Sequence, residues 1–215
     1  MTAGAADMTD GETPTIVEGS AQARILAATR TCLHDTGYAG LSTRRIAERA
    51  GLPLSQIHYH FGSKGQLVLA LLDAENARLL ERQSAMYDAD TPLWQQWDQA
   101  CDYLEDDLRS GYVRVLQEMI AAGWSDPAIA AAVRRDLRGW YDLLTAVARR
   151  AAARLGGLGP FSAEEVAALV GNAFLGTEAL VLLGLDDDAV PGRAALRQVG
   201  ALIRRLEEAD DRARP

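Results

Sequence analysis

The chain has 215 residues, 48 % of them hydrophobic, with 22 basic side chains against 30 acidic ones and a formal net charge of −8. That length is ample to bury a core without staples and sets a prior of one to two domains, while the acidic total, taken whole, argues against a protein that neutralises phosphates. Cys32 and Cys101 lie far apart with no Cys-x-x-Cys and no His at ligand spacing beside either, which excludes a disulfide framework and a zinc site.

Residues 1–19 hold Asp7, Asp10, Glu12 and Glu18 and no base. They carry too few apolar groups to offset the entropy of ordering, and they read as a flexible acidic tail. The basic n-region and apolar h-region of a secretory signal are absent from them, and a soluble, cytoplasmic protein is expected. From residue 20 onward Ala, Leu, Arg and Glu recur at helical spacing, and no strand-length run alternates apolar with polar residues. The first helix is expected near 20–36, ended by Gly37. A short second helix over about 43–50 has Ser42 as N-cap and Gly51 as its stop. A third over about 53–60 opens at Pro53, and Ser63-x-x-Gln66 is a capping box starting a long helix to about Met86.

Thr91-Pro92 precedes a helix to about Leu108, Gly111 and Gly123 bracket a shorter one, and Asp126-Pro127 opens a long one to about Leu155. The break at Gly156-Gly157-Leu158-Gly159-Pro160 follows a helix rather than a strand and lacks the third glycine of a dinucleotide loop, so it is a linker. Ser162-x-x-Glu165 opens a helix to about Leu183. The Asp186–Asp188 triplet lacks the Gly and terminal Glu of a calcium loop and reads as solvated surface. A last helix follows Pro191-Gly192 and runs to about Ala209. The expectation is an all-α fold of nine helices, with no apolar run reaching the length of about 20 residues that a membrane span requires, and hence no membrane partner.

Charge is distributed unevenly along this chain. Residues 20–65 hold Arg24, Arg30, Arg44, Arg45, Arg49 and Lys64 against Asp35 and Glu48, a local +4, whereas residues 66–215 hold 16 bases and 24 acids, a local −8. A basic block within an acidic chain points to an acidic-surface partner. Within it the second helix, the turn at Gly51 and the third helix form a helix-turn-helix, whose second helix can enter a major groove. At about 100° per residue, with Ile57 inward, Leu54 and Phe61 fall on the buried side, Ser55 and Tyr59 point outward, Gln56 and His58 flank them, and His60 lies nearer the buried side. His58 and His60 are about 200° apart on such a helix, which does not suit a shared metal.

The run Ala23-Arg-Ile-Leu-Ala-Ala28, then Gly37-Tyr38, Leu41-Ser-Thr-Arg-Arg-Ile-Ala-Glu-Arg-Ala-Gly51 and Ile57-His-Tyr-His-Phe-Gly-Ser-Lys64 resembles the TetR family of bacterial transcriptional regulators. The resemblance implies an all-α homodimer of nine helices, the first three binding DNA and the remainder binding a small effector that releases it. By motif position its DNA contacts fall on Ser42, Thr43 and Arg44, on Ser55, Gln56, His58, Tyr59 and His60, and on Lys64. Pro53 stands where the family commonly has Ser or Thr, and His58 where it commonly has Tyr. His58 would tighten operator binding as pH falls through about 6.5, the free imidazole value.

The expected organisation is a tail at 1–19, a DNA-binding domain at 20–65 and a ligand-binding and dimerisation domain at 66–215. Aromatic and apolar stripes on 91–155, and polar residues falling inside such stripes, nominate Trp94, Trp97, Tyr103, Gln117, Met119, Trp124, Trp140, Tyr141 and Thr177 for an effector cavity of several hundred Å3. For Gln117 and Thr177 a backbone hydrogen bond explains the burial equally well. Helices 162–183 and 193–209 are apolar on more than one side, which suits a four-helix interface between two copies. No nucleophile–base pair, metal-ligand cluster or phosphate loop is legible, so no catalytic residue, metal or cofactor is expected. The function expected is a homodimeric repressor released from a palindromic operator by a small hydrophobic or aromatic effector. The alternatives are a DNA-binding dimer without such an effector and, remotely, an enzyme.

Overall fold

A computed structural model describes residues 19–185 and 187–213; the acidic tail expected at 1–19 lies outside them except for Gly19, and so does Asp186 of the acidic triplet. The described residues form nine α-helices and no strand: α1 Ala21–Thr36, α2 Thr43–Ala50, α3 Leu54–Phe61, α4 Lys64–Asp88, α5 Leu93–Ser110, α6 Tyr112–Gly123, α7 Pro127–Leu155, α8 Ala163–Leu182 and α9 Gly192–Ala213. Each boundary falls within a few residues of a cap legible in the sequence. Asp126 accepts the N–H groups of Ala128 and Ile129 ahead of Pro127, and Ser162 with Glu165 forms a reciprocal capping box. At Ser63 only half of the expected box is present, the hydroxyl accepting from the Gln66 N–H at 3.2 Å.

Two short helices depend on their neighbours for helicity, since eight residues are too few to be helical alone in water. In α2, Ile46, Ala47 and Ala50 are buried on one face while Arg44, Arg45, Glu48 and Arg49 are exposed. Gly51 closes this helix in the left-handed region, φ 64° and ψ 37°, its N–H reaching the carbonyls of Ala47 and Glu48. Arg24 on α1 clamps the same end, its Nη2 donating to the Ala50 carbonyl at 2.6 Å. In α3 only Ile57 is buried, and completely so. Truncating it to Ala would remove the one anchor of the helix, at a cost of about 2–5 kcal/mol. Leu54, expected on the buried side, is 40 % exposed at the first position of the helix.

The main core runs without interruption from Ile25, Leu33, Ile46 and Ile57 through Leu67, Leu71 and Leu72 on α4 to Val115, Met119 and Ile129 on α6 and α7. The helix-turn-helix therefore shares its core with the rest of the molecule. A second, smaller cluster joins Cys101 and Leu104 on α5 to Phe174 on α8 and Leu196 on α9, with Trp97 and Trp140 against it. Both cysteines are free and buried, one in each core.

One sequence expectation is corrected here: α8 is long and apolar enough, by length and composition, to cross a membrane. Its apolar run carries Glu178, and it packs against α7 and α9 in this fold.

Candidate nucleic-acid interface and cavity

At the helix-turn-helix end, α3 turns Ser55, His58 and Tyr59 outward, with Tyr59 81 % exposed, while Gln56 and His60 are half-buried. His58 Nδ1 lies 3.1 Å from the Gly62 carbonyl, which requires the proton on Nδ1 and directs Nε2 away from the backbone. His60 packs edge-on against Tyr59, ring centroids 4.9 Å apart. At the start of α2 the Ser42 hydroxyl makes no capping bond and is exposed, Thr43 is half-buried, and Arg44 pairs with Glu48 at 3.2 Å on the solvated face. Lys64 lies with its ammonium 4.8 Å from the centre of the Tyr38 ring and 3.5 Å from the Leu41 carbonyl, at the N-terminus of α4.

Three bases of the +4 block are engaged within the chain, although Arg24 and Arg49 are exposed. Arg24 is engaged by the end of α2, Arg30 forms an ion pair with the buried Glu75 on α4, and Arg49 bonds Asp35 at 2.9 Å. Arg44, Arg45 and Lys64 remain to define the positive face. Arg44 stays effective because an exposed i, i+4 pair contributes little.

In the other half a cavity of about 50 Å3 lies between α4, α5, α6, α7 and α8. Trp97, Trp140 and Phe174 supply aromatic walls, Leu72, Leu104 and Leu116 aliphatic ones, and Asp107, Asp136 and Glu178 carboxyls. Burial lifts Asp136 to about 6 against the opposing pull of Arg135, and lifts Glu178 to about 8 against the Gln117 hydrogen bond. A second cavity of about 240 Å3, with almost wholly apolar walls, lies between α5, α7, α8 and α9 and shares Tyr87, Trp97, Leu144 and Val170 with the first.

Of the nine positions nominated for a ligand, Trp97 and Trp140 line the first cavity. Their indole N–H groups are engaged elsewhere, by the Leu196 carbonyl at 2.7 Å and by Gln83 Oε1 at 3.0 Å. Gln117 lies behind the wall, donating to the Leu175 carbonyl and to Glu178, so the backbone-bond reading of its burial applies. The remaining six lie elsewhere. Trp94 sits under Arg204, and Tyr103 under Arg82. Met119 is fully buried in the main core, Trp124 follows the end of α6 and is 84 % exposed, Tyr141 packs on Gly171 and donates to Asn172, and Thr177 packs against Gly192. The three carboxyls were not nominated. For two of them a signal is present in the sequence: Asp136 falls on the stripe Ile129, Val133, Trp140, Leu144, and Glu178 interrupts the apolar run of α8.

Residues 25–71 match the family model described as bacterial regulatory proteins, tetR family. The transcriptional repressor AcnR of Corynebacterium glutamicum is 37 % identical over 71 residues, 33 % of this chain and 36 % of that protein, so the match spans about a third of the relative's length. A TetR transcription regulator from Haloarcula marismortui superposes with a TM-score of 0.67 at 23 % identity, covering 85 % of this chain and 95 % of that one. FadR from Bacillus subtilis, solved in complex with stearoyl-CoA, superposes with a TM-score of 0.69 at 13 % identity, covering 82 % of this chain and 96 % of that one. The family model thus matches the helix-turn-helix segment of the chain, and the helical architecture of the described residues is similar to that of these solved regulators over most of its length.

Proposed function

We propose that this protein is a cytoplasmic, homodimeric transcriptional repressor that reads a palindromic DNA operator with α3 and is released from it by a small organic effector. The observation that carries the reading is the presentation of Ser55, His58 and Tyr59 on the outer face of a helix pinned from within by Ile57. Hydroxyl and imidazole groups on that face suit base edges, while Ser42, Thr43, Arg44 and Lys64, at the ends of α2 and α4, suit phosphates. Gln56 and His60 flank this surface and would contact the duplex at its margin. The acidic remainder repels DNA and confines contact to this end.

Dimerisation through α8 and α9 is supported by the apolar side chains they leave exposed, among them Leu169, Leu182, Val199, Leu202 and Leu206. Gly176 on α8 leaves open space for close approach of a second copy. A two-fold through these helices would present two recognition helices about one DNA turn, 34–36 Å, apart.

Effector release is supported by the shared core. Tyr112, Leu116 and Leu72 line the acidic cavity and belong to the same packed cluster as Ile25 and Leu33 of α1. A ligand that favours a cavity-expanded state would displace α6 and, through it, α1, changing the spacing of the two recognition helices in proportion to its differential affinity. Organic ligands are accommodated by chains of this fold, as the stearoyl-CoA complex of FadR illustrates. The cavity as it stands is smaller than the several hundred Å3 a ligand of ordinary size occupies, so binding would require it to merge with its apolar neighbour.

Selection from a random duplex pool with the full chain tests the reading. The expected product is a palindrome with half-sites about one turn apart. Recovery of no sequence above the background pool would overturn it.

A further inference from the structure

The smaller cavity combines aromatic walls with uncompensated carboxyls, which an apolar effector does not require. Asp107, Asp136 and Glu178 line it, and no Lys, Arg or His stands among its described lining residues. Asp107 is compensated from outside, Arg82 Nη2 donating to its Oδ2 at 2.6 Å. The other two are not compensated to the same degree. Asp136 is 6 % exposed; Arg135 approaches its Oδ1 at 3.3 Å, and Oδ2 is buried with no hydrogen-bond partner. Glu178, 9 % exposed, receives the neutral Gln117 amide at 3.4 Å and is paired with no cation among the described residues. A buried acceptor without a donor is unfavourable, and the penalty disappears when a ligand brings one.

The walls favour a cation over an anion or a neutral acceptor. Both indole N–H groups are already engaged, so Trp97 and Trp140 offer a ligand their π systems rather than a donor, and such systems attract positive charge. At about 50 Å3 the chamber accommodates roughly three or four waters, the size of a compact ammonium group. Beyond the shared wall of Tyr87, Trp97, Leu144 and Val170 lies the larger apolar chamber, lined by side chains such as Leu155, Val166 and Ile203. Together they match a molecule charged at one end and aliphatic at the other.

We propose that the effector is an organic cation with a primary ammonium head, seated between Asp136 and Glu178, and an aliphatic body directed past Trp97 and Leu144 into the apolar chamber. The primary ammonium follows from Asp136 Oδ2, which lacks a donor that a fully alkylated nitrogen could not supply. This inference rests on the effector-responsive reading and deepens it.

The test is titration of the purified full chain at pH 9, where both carboxyls are ionised and an alkylammonium keeps its proton, with octylammonium, octyltrimethylammonium, octan-1-ol and octanoate, followed by tryptophan fluorescence and calorimetry. Octylammonium is expected to bind saturably and at least tenfold more tightly than each of the other three. Asp136→Asn and Glu178→Gln are each expected to weaken octylammonium at least tenfold while leaving octan-1-ol unchanged. Equal or tighter binding of octanoate or octan-1-ol, or variants that retain the full preference, would overturn the proposal. The wild-type series decides the matter if either variant fails to fold. Because binding is read without DNA, a negative result leaves the operator-reading assignment to its own selection experiment.

Discussion

Glu118 on α6 accepts the backbone N–H of Tyr38 through Oε2 at 3.1 Å, tying the turn after α1 to a helix that walls the acidic cavity. The approach is close, since a Cβ on the preceding Gly37, at φ +67°, would lie 2.8 Å from Glu118 Oε1. Glu118→Ala should leave the Tyr38 N–H without this acceptor and cost about 1–3 kcal/mol. Glu118→Gln, which keeps an acceptor, should cost less than half as much. Urea unfolding and amide exchange at Tyr38 measure both; identical behaviour of the two variants would detach α6 from the helix-turn-helix.

Stability should fall as pH rises from about 5 to 8, in part through Glu178. Its folded pKa, lifted by burial to about 8, lies above the ordinary carboxyl value, so in this window the native state holds a proton that the unfolded chain has released. The stabilising contribution is complete below the ordinary carboxyl value and is lost as pH passes through the folded one. The groups facing it are Gln117 and Tyr112 on α6 and Asp107 on α5, none of them a cation. Glu178→Gln should therefore be increasingly stabilising relative to wild type toward pH 8, by an amount of the order of a few kcal/mol. A difference that does not change with pH would contradict this assignment.

Charge at the proposed DNA-reading end gives a salt prediction. Arg44, Arg45 and Lys64 in each of two protomers, at about −0.9 per phosphate neutralised, predict a slope of log K against log salt of about −5. Arg44→Ala should reduce its magnitude by roughly 2 in the dimer, whereas Arg24→Ala, which frees the Ala50 carbonyl, should act on stability instead. Anisotropy titrations across salt concentrations measure both.

The exposed faces of α8 and α9 make a further prediction. Leu202 is 56 % exposed, and Leu202→Glu would place a charge in the proposed interface without disturbing the core of one chain. Sedimentation should then show a monomer, with operator affinity at least a hundredfold weaker. A variant that remains dimeric would exclude this face.

Local signals in the sequence placed the helices closely because caps and breakers act within a few residues. Asp126-Pro127, Ser162-x-x-Glu165 and Gly51 each stand where the corresponding helix starts or stops. Which side of α3 faces out was equally legible, since one buried residue, Ile57, fixes the orientation of an eight-residue helix. The cavity was less so. Periodicity tells which face of a helix is covered but not by what: Met119 is buried in the main core and does not line the cavity. Trp124 continues the stripe of α6 in sequence, but the helix has already ended, and the ring is left in solvent. A linear count of charge includes Arg24 and Arg30 in the basic block, whereas folding couples them to Ala50 and Glu75.

The central claim, that α3 reads DNA, is tested most directly by the affinity of Tyr59→Ala for the duplex selected by the wild-type chain. Tyr59 is 81 % exposed, so its removal leaves the fold unchanged. At least a tenfold loss of affinity for the selected site is expected, with unchanged thermal stability and unchanged binding to unrelated duplex. Wild-type affinity for the selected site would contradict it.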